Sequence, residues 1–129
     1  MCGRFSQFYT WAEIHAFSRP LVVETPSNLP PQYNIAPTDL AGVIWSGDDG
    51  RWHYEVMRWG LIPRWWSRAI KGMAPMHNAR AEEVDTKPAF RDAFKRTRCL
   101  VPASGFFEWT GDKKARKPHF ISSADKQLV

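Results

Sequence analysis

Cysteine is scarce in this chain, which holds only Cys2 and Cys99 in 129 residues. Two thiols do not make the disulfide framework of a small secreted domain, and pairing these two would consume a reactive chain terminus. Long apolar runs are missing too: none approaches the ~20 residues of a membrane span. No signal peptide is apparent, because Cys2-Gly3-Arg4 leads straight into polar and aromatic residues. His15, His53, His77 and His119 show no ligand spacing with one another or with the cysteines, which leaves a metal centre unsupported. Glycine-rich phosphate loops, internal repeats, low-complexity tracts and linkers are all lacking. These absences predict a reduced, intracellular protein of one domain with no membrane contact; a monomer without a cofactor is the expectation.

What is present is aromatic and basic. A chain of this length can bury roughly two-thirds of its unfolded surface. Seven tryptophans and eight phenylalanines exceed what so small a core requires, leaving rings that could face a ligand. The charge is uneven: residues 1–64 carry five Lys/Arg against six Asp/Glu, and residues 65–129 carry thirteen against seven. A net of +6 in the second half favours a polyanionic partner such as nucleic acid, although a merely soluble basic protein has the same balance.

The first residues carry the sharpest chemistry. Aminopeptidases remove initiator methionine when the second residue is small, and here the second residue is Cys2. Removal would leave an α-amine and a thiol on neighbouring carbons, with reference pKa values of about 7.7–8.0 and about 8.5. Such a pair can condense with an aldehyde, first as a Schiff base and then as a thiazolidine closed through sulfur. The plainer alternative is a frayed, inert terminus.

Local patterns predict the elements. Thr10-Trp11-Ala12-Glu13 has capping-box spacing, and Trp11, Ile14 and Phe17 recur at helical intervals, giving a short helix over 10–18 closed by Arg19-Pro20. Pro26 to Pro31 reads as a proline-rich loop, and Tyr33–Pro37 as a brief extended segment ending in a turn. Leu40–Ser46 and Arg51–Trp59 read as strands joined by Gly47-Asp48-Asp49-Gly50. Gly60 to Pro75 is irregular. Thr86-Lys87-Pro88 predicts the start of a second helix, with Ala89, Phe90, Ala93 and Phe94 on its apolar face. Arg98–Pro102, Gly105–Trp109 and Pro118–Ser122 read as strands, and Gln127–Val129 as the beginning of another. The expected class is α+β, rich in antiparallel sheet.

Several residues could carry chemistry. Glu108 lies among aromatics in Gly105-Phe106-Phe107-Glu108-Trp109, where a raised pKa would suit a general acid or base. Strand alternation could equally turn it to water while Phe107 and Trp109 pack inside. Asn78, Arg80 and Glu82 fall on alternate residues and share one face if that stretch is extended. An amide there could orient an amine and an arginine could fork onto phosphate, or all three could form a solvated edge. Trp65-Trp66, between Arg64 and Arg68, reads as a loop exposing both rings for base stacking, or as one core ring beside a half-buried one. Lys113-Lys114-Ala115-Arg116-Lys117 reads as a solvated hairpin tip or a distant phosphate contact.

Six blocks occur in order along nearly the whole chain: Met1–Phe5, Tyr33–Pro37, Arg58–Pro63, Trp65-Trp66, Asn78–Glu82 and Gly105–Trp109. Together they resemble the SOS response-associated peptidase (SRAP) family, whose members shield abasic sites in single-stranded DNA. The resemblance implies a mainly antiparallel, barrel-like sheet with short flanking helices, and a partner in single-stranded DNA carrying abasic sites. It implies a cytoplasmic setting, nucleoid-associated in a bacterium and nuclear in a eukaryote. By motif, Cys2 would cross-link to the ring-opened sugar, Asn78 would hold its amine in register, and Glu108 would shuttle protons. Arg4 and Arg80 would grip phosphates, Trp65, Trp66 and Trp109 would meet bases, and Gly3, Asn34 and Pro37 would shape the pocket. The family's catalytic histidine belongs to a later His-x-Arg-Met-Pro motif that this chain does not contain. Residues 1–129 are therefore expected to be the N-terminal portion of one SRAP domain, with self-processing peptidase and lyase activity in doubt. Two other readings remain: a non-covalent single-stranded-DNA-binding module, and an N-terminal-nucleophile amidohydrolase, since class II glutamine amidotransferases also begin Met-Cys-Gly.

Overall fold

The computed structural model describes residues 2–18, 21–22, 30–71, 73, 76–125 and 128. They form two four-stranded sheets and two short helices. In chain order the elements are β1 (Phe5–Gln7), α1 (Trp11–Phe17), β2 (Leu21–Val22), β3 (Gln32–Ile35), β4 (Leu40–Ser46), β5 (Trp52–Arg58), α2 (Arg91–Arg96), β6 (Cys99–Leu100), β7 (Gly105–Thr110) and β8 (Lys117–Ile121). One sheet runs β3-β1-β7-β8 and the other β2-β5-β4-β6. All pairings are antiparallel except β2 with β5, which is parallel. The architecture is α+β and dominated by antiparallel sheet, as the local patterns predict.

Helix α1 forms for the expected reason. The Thr10 hydroxyl accepts from the Glu13 N–H, and the Glu13 carboxylate accepts from the Thr10 N–H at 2.8 Å, satisfying two donors that a helix start leaves free. Arg19-Pro20 and most of the 26–31 loop lie outside the described residues, as do Gln127 and Val129 of the expected last strand. The β4–β5 hairpin pairs in unbroken register from Leu40↔Arg58 to Ser46↔Trp52.

Two expectations require correction. The second helix begins at Arg91 rather than at Thr86–Pro88. Thr86 instead closes the preceding turn, where both its backbone N–H and its hydroxyl donate to the Glu83 carbonyl. The N-cap falls on Phe90, which offers no side-chain acceptor. The strand expected over Arg98–Pro102 shrinks to Cys99–Leu100, because only these residues pair with Ile44 and Trp45.

The core sits where the sheets meet. Phe5 and Ile35 from one sheet pack with Ala41 from the other, and Cys2, Trp59, Ala103 and Phe106 close around them. A second cluster joins Ile14 of α1 to Ile44 of β4, flanked by Tyr9, Trp11 and Tyr54. Ile44 has no exposed surface. These clusters anchor β1 and β4, and the chain terminus rides on the first of them.

Candidate functional site: the Cys2 cavity

Cys2 lies just ahead of β1 and is held by a residue 76 positions away, the Asn78 amide, which donates to the Cys2 carbonyl at 2.8 Å. The Cys2 thiol points toward the Arg4 carbonyl, 3.5 Å distant, and the residue is half-buried. Asn78 itself is positioned by the end of β5. The Trp59 indole N–H donates to the His77 carbonyl at 3.0 Å, and the Leu61 N–H to the Met76 carbonyl at 2.9 Å. Trp59 sets its ring edge-on to Phe5, with centroids 5.0 Å apart. Three distant segments, 2–5, 59–61 and 76–78, thus converge on one corner of the core.

That corner opens into a cavity of about 820 Å³ between the sheets. Cys2, Phe5, Val43, Met57, Cys99 and Phe106 are among its largely apolar walls. The Cys99 thiol shares this cavity, and burial pushes its pKa up. A thiol kept protonated is a poor nucleophile, which disfavours Cys99 as a nucleophile at neutral pH. Among the described residues, no three His, Cys, Asp or Glu side chains gather as metal ligands would. None of the described helices is long and apolar enough to cross a membrane.

The other predicted site residues divide into those near the cavity and those away from it. Glu108 is half-buried on β7, two residues beyond Phe106, and strand alternation places the two on the same face. Phe107 and Trp109 take the opposite face, where Phe107 meets Phe120 at 5.0 Å. Trp109 therefore lies across the sheet from the Cys2 cavity. Arg4 donates from its guanidinium to the Asn34 side-chain oxygen at 2.9 Å. Asn34 thereby aims Arg4; neither it nor the half-buried Pro37 lines the cavity. Gly3 has open space where a side chain would project.

Arg80 is exposed and makes no ion pair among the described residues. The shared face with Asn78 and Glu82 does not form, because residues 81–86 fold into turns and the Glu83 N–H bonds the Arg80 carbonyl. The tryptophan pair matches neither of its two readings in full. Trp65 is 57% exposed, whereas Trp66 is half-buried, its backbone N–H donating to the Pro63 carbonyl in a tight turn. The rings stand 6.1 Å apart at 58°. Sequence reasoning gave no role to Arg58, Met57 or Cys99. Strand pairing carries these into the cavity, and period-two alternation in β5 was the only signal available for Met57.

A family model described as SOS response associated peptidase (SRAP) matches residues 1–129. The abasic site processing protein YoaM of Bacillus subtilis is 36% identical over 130 residues, covering 99% of this chain and 56% of that protein. The abasic site processing protein YedK of Escherichia coli is 32% identical over 132 residues, covering 100% of this chain and 57% of that protein. A solved structure of a Bacteroides thetaiotaomicron protein superposes with a TM-score of 0.76 at 28% identity, covering 98% of this chain and 56% of its own. The chain spans a little over half the length of each. With its full length matched by the family model, the chain belongs to the SOS response associated peptidase (SRAP) family.

Proposed function

We propose that this chain recognises abasic sites in single-stranded DNA and traps them covalently through Cys2. The observation that carries the reading is the Asn78 amide bonded to the carbonyl of Cys2, a residue that lines the inter-sheet cavity. A terminus meant only to fray has no use for a side-chain clamp from 76 positions away. With Met1 removed, the Cys2 amine attacks the aldehyde carbon of the ring-opened sugar. The carbonyl oxygen leaves as water, and the thiol sulfur then adds to the imine carbon while its proton passes to nitrogen. No oxidant or reductant is needed.

Glu108, on the Phe106 face of β7, is the proton shuttle for water loss and sugar opening. Arg80, unpaired among the described residues, and Arg4, aimed by Asn34, grip flanking phosphates. Trp65 offers an exposed face to an unpaired base, with Trp66 behind it. Self-removal of Met1 and strand cleavage at the abasic site would be the accompanying peptidase and lyase activities. The names of the relatives, abasic site processing proteins, agree with this substrate.

The test mixes the 129-residue protein with single-stranded DNA bearing one abasic site, followed by denaturing electrophoresis and intact mass. The expected adduct has the mass of Met1-less protein plus DNA less one water. Cys2→Ser should lose the heat-stable adduct but keep a Schiff base that borohydride traps. Undiminished heat-stable cross-linking by Cys2→Ser would sink the thiazolidine. The exposed Trp65 between Arg64 and Arg68 favours one second reading, salt-sensitive binding without a covalent bond. It predicts a native-gel shift that survives Cys2→Ser and vanishes on denaturation.

A further inference from the structure

Arg58 closes β5 and lines the same cavity as Cys2, yet its guanidinium has no hydrogen-bond acceptor or carboxylate among the described residues. Three other arginines have polar partners: Arg4 is held by Asn34, Arg51 by Asp49, and Arg91 stands beside Asp92. Arg58 is also half-buried, so water only partly replaces the missing partner. A half-buried guanidinium beside a largely apolar cavity gains most from an anionic partner.

The guanidinium lies close over Gly60. Gly60 has φ +140°, a conformation that side chains disfavour, and a Cβ added there would lie 2.9 Å from the Arg58 Nη1 atom. Gly60 lines the cavity as well. Arg58 and Gly60 thus sit together in the cavity lining, with a guanidinium that nothing described neutralises. Such a fork of donors matches the oxygens of a phosphate.

We propose that Arg58 is a specificity residue that recognises a phosphate next to the reacting aldehyde, so that Cys2 prefers a phosphorylated sugar aldehyde over a neutral one. This rests on the reading of Cys2 as an aldehyde trap. It adds a phosphate contact at the cavity itself, where apolar surroundings weaken solvent screening, in contrast to the exposed Arg80.

The experiment compares two small aldehydes, 2-deoxyribose 5-phosphate and 2-deoxyribose, reacting with the Met1-processed chain, with thiazolidine formation followed by intact mass. The quantity read is the ratio of the two rates. Differences in intrinsic ring opening, and any general loss of folded protein, cancel when wild type and variants are compared. Arg58→Gln should lower the ratio about tenfold, as for one charge-assisted contact. Arg58→Lys, which keeps the charge but not the fork, should retain part of it. An Arg58→Gln ratio equal to wild type, with both sugars reacting, overturns the role of Arg58 and leaves the Cys2 chemistry standing. No reaction of the wild type with either sugar overturns both.

Discussion

The two ends of the β4–β5 hairpin are built by opposite means. At the tip every bond is local. The Gly47 N–H reaches the Arg51 carbonyl at 2.9 Å, and Asp49 accepts from the Arg51 N–H at 2.9 Å and the Arg51 Nε at 2.6 Å. The His53 ring stacks on Trp45 at 4.8 Å and stands 3.3 Å from the Asp49 carboxylate. At the other end the hairpin alone supplies almost nothing. Trp59 exchanges backbone bonds with Thr38 and Asp39, then reaches His77 through its indole, and the neighbouring Asn78 holds Cys2. The tip can form as soon as its few residues meet. The Cys2 end requires segments from three parts of the chain, so it forms only with the whole fold.

The middle of the hairpin couples the two ends, and breaking it should have the largest effect. Ile44, wholly buried against Ile14 of α1, is the place to do so. Ile44→Ala should destabilise the protein by about 2–5 kcal/mol, through lost burial and the cavity left behind. Urea titration followed by tryptophan fluorescence would read it. A loss under ~1 kcal/mol would mean that the α1–β4 contact is not part of the core.

The comparison is sharpened at the Cys2 end by Asn78→Ala. It deletes one long-range hydrogen bond and leaves the apolar contacts intact. Stability should fall by only about 1 kcal/mol, while cross-linking to abasic DNA slows by about fivefold to tenfold as the terminus loses its register. Single-turnover gel kinetics alongside a thermal midpoint would separate the two. Equal losses in both would make Asn78 a structural residue with no positioning role.

The same contrast explains what the sequence made visible. Capping at Thr10–Glu13, the hairpin turn and the period-two strands depend on neighbours a few residues apart, and all three appear where the pattern places them. The start of α2 escapes the pattern because Thr86 can bond forward as a cap or backward as a turn, and it bonds backward to Glu83. Cys2 and Asn78 could be singled out by residue chemistry and motif, but their contact spans 76 positions and no local pattern encodes it. The cavity walls were hidden for the same reason: Met57, Cys99 and Phe106 come together only through strand pairing. Exposure of Trp65 but not Trp66 comes from a turn at Pro63 whose closing bond no spacing rule specifies.

The tip offers the smallest effect and a defined pH signature. The Arg51 backbone N–H and then its guanidinium hold the Asp49 carboxyl well below the usual carboxylate range. A group with a depressed folded-state pKa binds its proton more readily when unfolded. Its stabilisation is therefore complete above the ordinary carboxylate pKa, and is lost as pH falls toward the depressed folded value. The charge is exposed to solvent, so salt screens its Coulombic share. Asp49→Asn should lower the thermal midpoint slightly at neutral pH, and the gap to wild type should close on acidification. Cross-linking through Cys2 should not change, because every bond Asp49 makes lies between residues 49 and 53. A gap that widens in acid would reverse the assigned direction of the shift. A loss of cross-linking would show that the tip and the Cys2 end are coupled, and that the division between local and long-range construction fails.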